Sequence, residues 1–154
     1  MRRIPVIEQL ETHEQQSFIC QCHLNQHRYP VLKLIFAVPN EGKRSVRVAA
    51  RMKAEGMKPG VCDLALPVGR GGYLGWFGEL KRTRTGYPSA EQNDFMHEIR
   101  REGYWAAWHK GAEEMWEDLM WYLSLSPTAQ QPEAARAQRP LKEYPQVGRE
   151  KAST

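Results

Sequence analysis

Two apolar segments joined by a glycine-rich loop set narrow limits on the fold of this chain. Val61 to Pro67 (VCDLALP) and Tyr73 to Lys81 (YLGWFGELK) are short and rich in strand-forming residues, and three glycines lie between them. This arrangement predicts an antiparallel hairpin. Each strand also carries an acid, Asp63 or Glu79, among apolar side chains. Burying a carboxylate costs several kcal/mol unless it is paired or bound to a metal, so these acids require a partner.

Helices and strands are predicted in alternation on both sides of this hairpin. The predicted elements are a helix from Glu14 to His27 with Thr12 as a possible cap, a strand from Leu32 to Val38, a helix from Lys43 to Glu55, a helix from Ser89 to Glu102, a strand from Tyr104 to His109, and a helix with an apolar stripe from Ala112 to Leu123. The order α-β-α-β-β-α-β-α indicates an α/β fold, with a small mixed sheet flanked by helices. We expect one domain over residues 8–124.

The composition is compatible with a single domain that contacts an anionic partner. The chain has 154 residues, of which 41% are hydrophobic, and a net charge of +4. Residues 125–154 contain four prolines and few large apolar residues, so we expect a disordered tail there. No apolar run approaches the roughly 20 residues that cross a bilayer, and the polar N-terminus does not resemble a signal peptide. We therefore expect a cytoplasmic protein without membrane contact.

The three cysteines are expected to be reduced thiols. Cys20, Cys22, His23 and His27 lie close together in sequence, which raises the possibility of a zinc site. In a helix, residues two apart point to nearly opposite sides, so Cys20 and Cys22 cannot easily bind one ion. No metal is predicted at this position.

The acids of the hairpin are the best candidates for catalysis. Side chains alternate along a strand, so Glu79 and Lys81 share one face and Asp63 can meet Glu79 across the hairpin. Two carboxylates are suitable ligands for Mg²⁺ or Mn²⁺, and the Leu80 carbonyl could complete the site. Lys81 would then orient or deprotonate a water molecule, or neutralise charge on a phosphate. The alternative is an ordinary charged pair at a strand end.

Basic residues supply candidate contacts to a nucleic acid backbone. The helix between residues 43 and 55 has arginines at helical spacing on one face, and further basic residues follow the second hairpin strand. The candidate DNA contacts are Lys43, Arg44, Arg47, Arg51, Arg82 and Arg84, with Tyr87 as a stacking group nearby. The alternative for the helix is a solvated charged face. The tryptophans Trp105, Trp108, Trp116 and Trp121 are expected in the core or a subunit interface.

Several short segments occur together in an order that is typical of one family. They are Glu11-Thr-His-Glu14-Gln15, Val38-Pro39-Asn40 followed by Gly42-Lys43-Arg44, Lys58-Pro-Gly60-Val-Cys-Asp63, Gly78-Glu79-Leu80-Lys81, and Ser89-Ala-Glu-Gln92 before Gly103-Tyr104. Together they resemble the VRR-NUC (virus-type replication-repair nuclease) branch of the PD-(D/E)xK nuclease superfamily. The resemblance implies a restriction-endonuclease-like core.

The resemblance also implies roles for particular residues. Asp63 and Glu79 would bind Mg²⁺ or Mn²⁺, Lys81 would be the catalytic lysine, and a glutamate of the first helix would complete the acidic cluster. Glu14, which lies inside the predicted helix, is preferred over Glu11. Gln92 would support the site, although it also fits a capping box that begins at Ser89. Asn40 would lie near the site or only shape a turn.

Members of this family that stand alone at this size resemble Holliday-junction resolvases. The resemblance therefore implies a metal-dependent DNA endonuclease that acts on branched DNA, works as a homodimer, and serves phage or prophage replication and repair. The alternative is a catalytically silent module that binds nucleic acid through the basic helix. A more distant alternative is an interaction protein that uses the acidic face of the last helix.

Overall fold

A four-stranded mixed sheet with helices on both faces forms the centre of the molecule. The computed structural model describes residues 6–39 and 45–129, without the side chains of residues 6–11. The elements are α1 (Val6–Leu24), a 3-10 helix (Pro30–Leu34), β1 (Phe36–Ala37), α2 (Val46–Ala54), β2 (Leu64–Leu66), β3 (Trp76–Lys81), α3 (Ala90–Arg101), β4 (Trp105–Lys110) and α4 (Gly111–Ser124). The predicted α/β class is confirmed.

The strand order β1-β2-β3-β4 follows the chain. β1 pairs with β2 and β2 with β3, both antiparallel, so the predicted hairpin is confirmed. β3 and β4 are parallel, with Trp76 opposite Trp105 and Lys81 opposite Lys110. A parallel pair needs a crossover, and α3 provides it. The long, uninterrupted pairing of β3 with β4 holds the end of β3 in a fixed position.

Strand alternation separates the core into two parts. Trp76 and Leu80 of β3 face α1 and α4, where they pack with Phe18 and Leu119 in the larger cluster. We call this side the α1/α4 face. On the opposite side, the α3 face, a smaller cluster contains Met96 of α3, together with Cys62 and Ala106. Glu79 and Lys81 alternate with Leu80, so they belong to the α3 face.

One glycine of β3 is required by the packing of its neighbour. The indole of Trp76 lies across Gly78, and a Cβ atom at residue 78 would come within 2.2 Å of the ring. Real Cβ atoms do not make contacts this short, so a larger residue would displace the buried indole. The absence of a side chain at Gly78 therefore makes room for the Trp76 indole against the strand, one residue before Glu79.

The N-terminal third of the chain differs most from its prediction. The first helix begins at Val6 rather than Glu14 and ends at Leu24 rather than His27. The predicted strand over residues 32–38 is mostly a 3-10 helix, and only Phe36–Ala37 is extended. Pro30 begins that 3-10 helix because its fixed φ suits a first helical position. The apolar content of Leu32 to Leu34 does not itself distinguish a strand from a buried turn.

The predicted tail is described only at its start. Leu125 packs against the larger core cluster, the Gly71 amide donates a hydrogen bond to the Ser126 carbonyl, and the Thr128 amide donates one to the Gly69 carbonyl. Asn40, Lys43 and Arg44 and the rest of the tail, residues 130–154, lie outside the described residues. Among the helices that the structure describes, none has the length and apolarity to cross a membrane.

Candidate active site

The two hairpin acids come together where β2 meets β3. Leu64 pairs with Gly78, so extending the antiparallel register by one residue sets Asp63 opposite Glu79. Asp63 lies in the bend before β2, and its carboxylate accepts a hydrogen bond of 2.8 Å from the Leu80 amide. That hydrogen bond holds Asp63 beside the backbone that carries Glu79. The predicted proximity of the two carboxylates is therefore present in the structure.

Glu79 is buried, with only 1% of its surface exposed, and its two oxygens have different environments. Oε1 lies 2.6 Å from the Lys81 ammonium and accepts a hydrogen bond from the Gln92 side-chain amide. Oε2 is buried and has no hydrogen-bond partner among the described residues. One half of the carboxylate is thus fixed by protein groups, and the other half has unused acceptor capacity.

The electrostatic environment penalises the charged form of Glu79. Burial, and then the nearby charge of Asp63, raise the pKa of Glu79 from 4.5 to about 7, although Lys81 partly opposes this shift. Burial and the same two acids also raise the pKa of the adjacent Cys62 thiol to about 12. Negative charge is therefore concentrated here beyond what Lys81 neutralises. A site of this kind attracts a cation.

The N-terminus of α3 supplies Gln92 to the site. Ser89 and Gln92 form a capping box. The Ser89 backbone N–H donates to the side-chain oxygen Oε1 of Gln92, and the Gln92 backbone N–H donates to Ser89 Oγ. The other side-chain group of Gln92, its Nε2, contacts Glu79. Gln92 can therefore cap the helix and support the site at once, because its side-chain oxygen takes part in the cap and its side-chain nitrogen contacts Glu79.

A tight contact keeps this helix start next to Asp63. Gly60 has φ of +84°, and a Cβ atom there would come within 2.5 Å of the Glu91 carbonyl. The loop that leads into Asp63 thus runs directly against the first turn of α3. Gly60 therefore allows the loop that carries Asp63 to pack closely against the helix that carries Gln92, and both residues lie beside Glu79.

The donor set suits a small, hard cation. Mg²⁺ usually binds through one or two carboxylates and keeps several waters, so Asp63 and Glu79 are sufficient protein ligands. Glu79 Oε2 is the oxygen that remains available for such an ion. The Leu80 carbonyl belongs to the same stretch of backbone. Within the described part of the chain, no group of three or more histidine, cysteine or acidic side chains is placed to bind a metal.

Glu14 does not join this pair in the structure. Its Oε2 accepts a hydrogen bond of 2.8 Å from the Ala112 amide at the start of α4, and it lies on the helix that packs against the α1/α4 face. Lys110, the residue before α4, makes no side-chain cap. Glu14 therefore satisfies a helix N-terminus that has no local cap. The alternative residue Glu11 has a side chain outside the described residues.

The described basic residues lie on α2 and directly after β3. Arg47 and Arg51 are exposed on α2, a helix that buries none of its residues, and Arg51 forms an ion pair with Glu55. Arg82 and Arg84 follow β3 directly, with Arg84 exposed. The exposure of Arg47, Arg51 and Arg84 leaves them accessible to a polyanion.

Sequence reasoning missed a buried polar network beneath β4. His109 Nε2 lies 3.0 Å from Asp118, whose carboxylate also accepts hydrogen bonds from the indoles of Trp76 and Trp105. Burial alone would raise the pKa of Asp118, but the nearby His109 and the hydrogen bonds from the two indoles outweigh it and lower the pKa. Asp118 belongs to the predicted acidic face of the last helix, and no local sequence pattern indicates that its side chain is only 17% exposed. The network ties α4 to β3 and β4.

The site and its sheet define an α/β protein with two adjacent acids, a lysine and a supporting glutamine at the end of a hairpin. A solved structure called "VRR_NUC domain protein" shares this fold: its TM-score is 0.66, its sequence identity is 22%, and the match covers 86% of this chain and 100% of that one. No family model matches the chain, and no curated protein matches it either. The structural match shows the fold, and the side chains above provide the evidence on chemistry.

Proposed function

We propose that this chain is a metal-dependent DNA endonuclease of the VRR-NUC family, using Mg²⁺ or Mn²⁺. The observation that carries the proposal is the buried Glu79 carboxylate. Its Oε2 has no hydrogen-bond partner among the described residues, and burial together with the neighbouring Asp63 charge raises its pKa. Two carboxylates held this close, one of them buried, destabilise the fold unless a cation binds between them. The fold shared with a protein called "VRR_NUC domain protein" supports the same assignment.

Each residue of the site has a distinct task in this proposal. Asp63, Glu79 and the Leu80 carbonyl would hold the ion, which would polarise the phosphodiester and lower the pKa of a water molecule. The Lys81 ammonium lies 2.6 Å from Glu79 Oε1, which holds it beside the ion site, where it would stabilise charge that develops on the phosphate. Gln92 donates to Glu79 and keeps its carboxylate oriented.

The basic residues favour a nucleic acid substrate held by its backbone. Arg47, Arg51, Arg82 and Arg84 provide sequence-independent contacts to phosphates, and Lys43 and Arg44 extend the same segment of the sequence. We propose branched DNA, including the four-way Holliday junction, as the preferred substrate, and a homodimer as the active form. A cytoplasmic role in phage or prophage DNA repair belongs to the same proposal.

Cleavage of a labelled four-way junction and of a linear duplex tests the proposal. The purified protein should cut with Mg²⁺ or Mn²⁺ and not with EDTA, and the junction should be cut faster. Glu79→Gln should lower the rate at least about a hundredfold, as expected for loss of a key electrostatic group, without weakening DNA binding. The exposed Glu98→Gln is a matched control and should cut normally.

Absence of metal-dependent cutting of any nucleic acid would contradict the proposal. Salt-dependent DNA binding that persists without cutting would instead indicate the silent binding module. Sedimentation of the protein with and without the junction tests the homodimer, because a monomer that still cuts both symmetric strands would exclude it.

A further inference from the structure

A cluster of one cation and two aromatic rings lies at the end of β4. The Lys110 ammonium sits 4.4 Å from the centroid of the Tyr87 ring, 5.9 Å from that of Trp108, and 3.4 Å from the Tyr87 hydroxyl. The Tyr87 and Trp108 rings are 5.8 Å apart and tilted by 55°. Among the described residues, the Lys110 ammonium contacts aromatic groups rather than a carboxylate. Its positive charge therefore remains available to an anion.

The cluster lies beside the acids and on the same face of the sheet. In the parallel register, Glu79 is opposite Trp108 and Lys81 is opposite Lys110. Neighbouring strands are about 4.8 Å apart, so the cluster begins one strand away from the carboxylate pair. Tyr87 reaches this position because the turn after β3 folds back, with the Gly86 amide donating to the Arg82 carbonyl.

The Tyr87 ring is positioned for stacking. It is 68% exposed, whereas Trp108 is partly buried and packs against the smaller core cluster with Phe95 and Met96. A ring this exposed, with Lys110 within cation–π distance, still offers aromatic surface to a ligand. Trp108 therefore serves as a fixed support, while Tyr87 carries the accessible aromatic surface.

We propose that Tyr87 and Lys110 form a nucleotide subsite beside the cleavage site, in which Tyr87 stacks on an unpaired base and Lys110 contacts a backbone phosphate. This inference rests on the proposed nuclease function and narrows its substrate class to branched DNA with a single-stranded or unpaired nucleotide next to the cleaved bond. A paired base in a duplex has both faces covered by its neighbours, so only an unpaired base can stack on Tyr87.

Binding measurements in EDTA isolate the subsite from catalysis. Fluorescence anisotropy of the full chain would compare a short labelled single strand with a duplex of the same sequence. Stacking of a base on an aromatic side chain is worth about 1–3 kcal/mol, so Tyr87→Ala should weaken single-strand binding by roughly 5- to 150-fold. Binding of the duplex should stay within about twofold of the wild type.

Two further variants separate base stacking by the Tyr87 ring from its hydroxyl contact with Lys110 and from the phosphate contact of Lys110. Tyr87→Phe keeps the ring and loses only the hydroxyl contact with Lys110, so it should bind the single strand like the wild type. Lys110→Ala should reduce the slope of log affinity against log salt by about 0.7, the value for one single-strand phosphate contact. Lys33→Ala, an exposed lysine in the 3-10 helix, is the charge control and should leave the slope unchanged.

The subsite is excluded if Tyr87→Ala weakens single-strand and duplex binding equally or changes neither. It is also excluded if Tyr87→Phe loses as much affinity as Tyr87→Ala, or if the wild type binds no single strand. Metal-dependent cutting by Tyr87→Ala with wild-type KM on branched DNA would reject this subsite alone. Selective single-strand binding without cutting under any metal would reject the nuclease function and retain the subsite.

Discussion

Replacing Glu79 by glutamine should stabilise the metal-free protein while abolishing its activity. Burial and the Asp63 charge raise the pKa of Glu79 from 4.5 to about 7. At about 1.4 kcal/mol per pH unit, keeping this carboxylate charged in the folded state costs about 3 kcal/mol. Glutamine has nearly the same shape and no charge, so the variant avoids this cost and keeps an oxygen for Lys81 and Gln92.

The stability difference between Glu79→Gln and the wild type should depend on pH. Between pH 4.5 and about 7 the folded protein retains a proton that the unfolded chain has released, so the stability of the metal-free wild type falls as the pH rises. The full cost is present above pH 7 and absent below pH 4.5. Glu79→Gln should therefore match the wild type at low pH and exceed its free energy of unfolding at pH 8 by about 3 kcal/mol.

Thermal unfolding in EDTA at several pH values measures this difference. For a chain of this length, 3 kcal/mol corresponds to a Tm increase of about 6–12 °C at pH 8. Adding Mg²⁺ should raise the Tm of the wild type and leave that of Glu79→Gln nearly unchanged, because the ion stabilises only the form that binds it. The exposed Glu98→Gln should shift Tm little at any pH.

The reasoning is refuted if Glu79→Gln has a lower Tm than the wild type at pH 8, or if the Tm difference between the two proteins is the same at pH 8 and at low pH. A lower Tm at pH 8 would mean that the Lys81 ion pair outweighs the cost of burying the Glu79 charge.

Three further variants test the site and its supports. Asp63→Asn should reduce metal-dependent cleavage at least about a hundredfold while circular dichroism stays unchanged, and a rate near wild type would remove Asp63 from the site. Gly78→Ala should cost about 1–3 kcal/mol in urea unfolding because a Cβ would collide with Trp76, and an unchanged midpoint would contradict that packing. Asp118→Ala should cost about 3–5 kcal/mol by the same assay because it leaves His109 and the Trp76 indole without their acceptor, and a loss below about 1 kcal/mol would argue against the network.

The hairpin and its acids could be predicted because the evidence is local. The alternation of Glu79, Leu80 and Lys81 assigns faces without knowledge of the rest of the chain. The capping box at Ser89 likewise defines the start of α3, and the structure places its N-cap there. These features depend on residues close in sequence, so periodicity and turn chemistry are sufficient to find them.

Contacts between distant residues could not be predicted in the same way. Glu14 caps α4 from a position 98 residues earlier, and only the absence of a capping side chain at Lys110 hinted at a remote acceptor. Asp118 looked like part of a solvated acidic face because three other acids accompany it on the helix. Its partial burial depends on two indoles from separate strands, which no local pattern reveals.

The position of the divalent ion is the most direct test of the site. A crystal soaked in Mn²⁺ should show an anomalous difference peak between the Asp63 carboxylate and Glu79 Oε2, and Mg²⁺ in its place should lie about 2.0–2.1 Å from both. An ion bound elsewhere, or a saturating soak that leaves this position without a peak while Glu79 stays paired only with Lys81 and Gln92, would contradict the metal site on which the proposed nuclease depends.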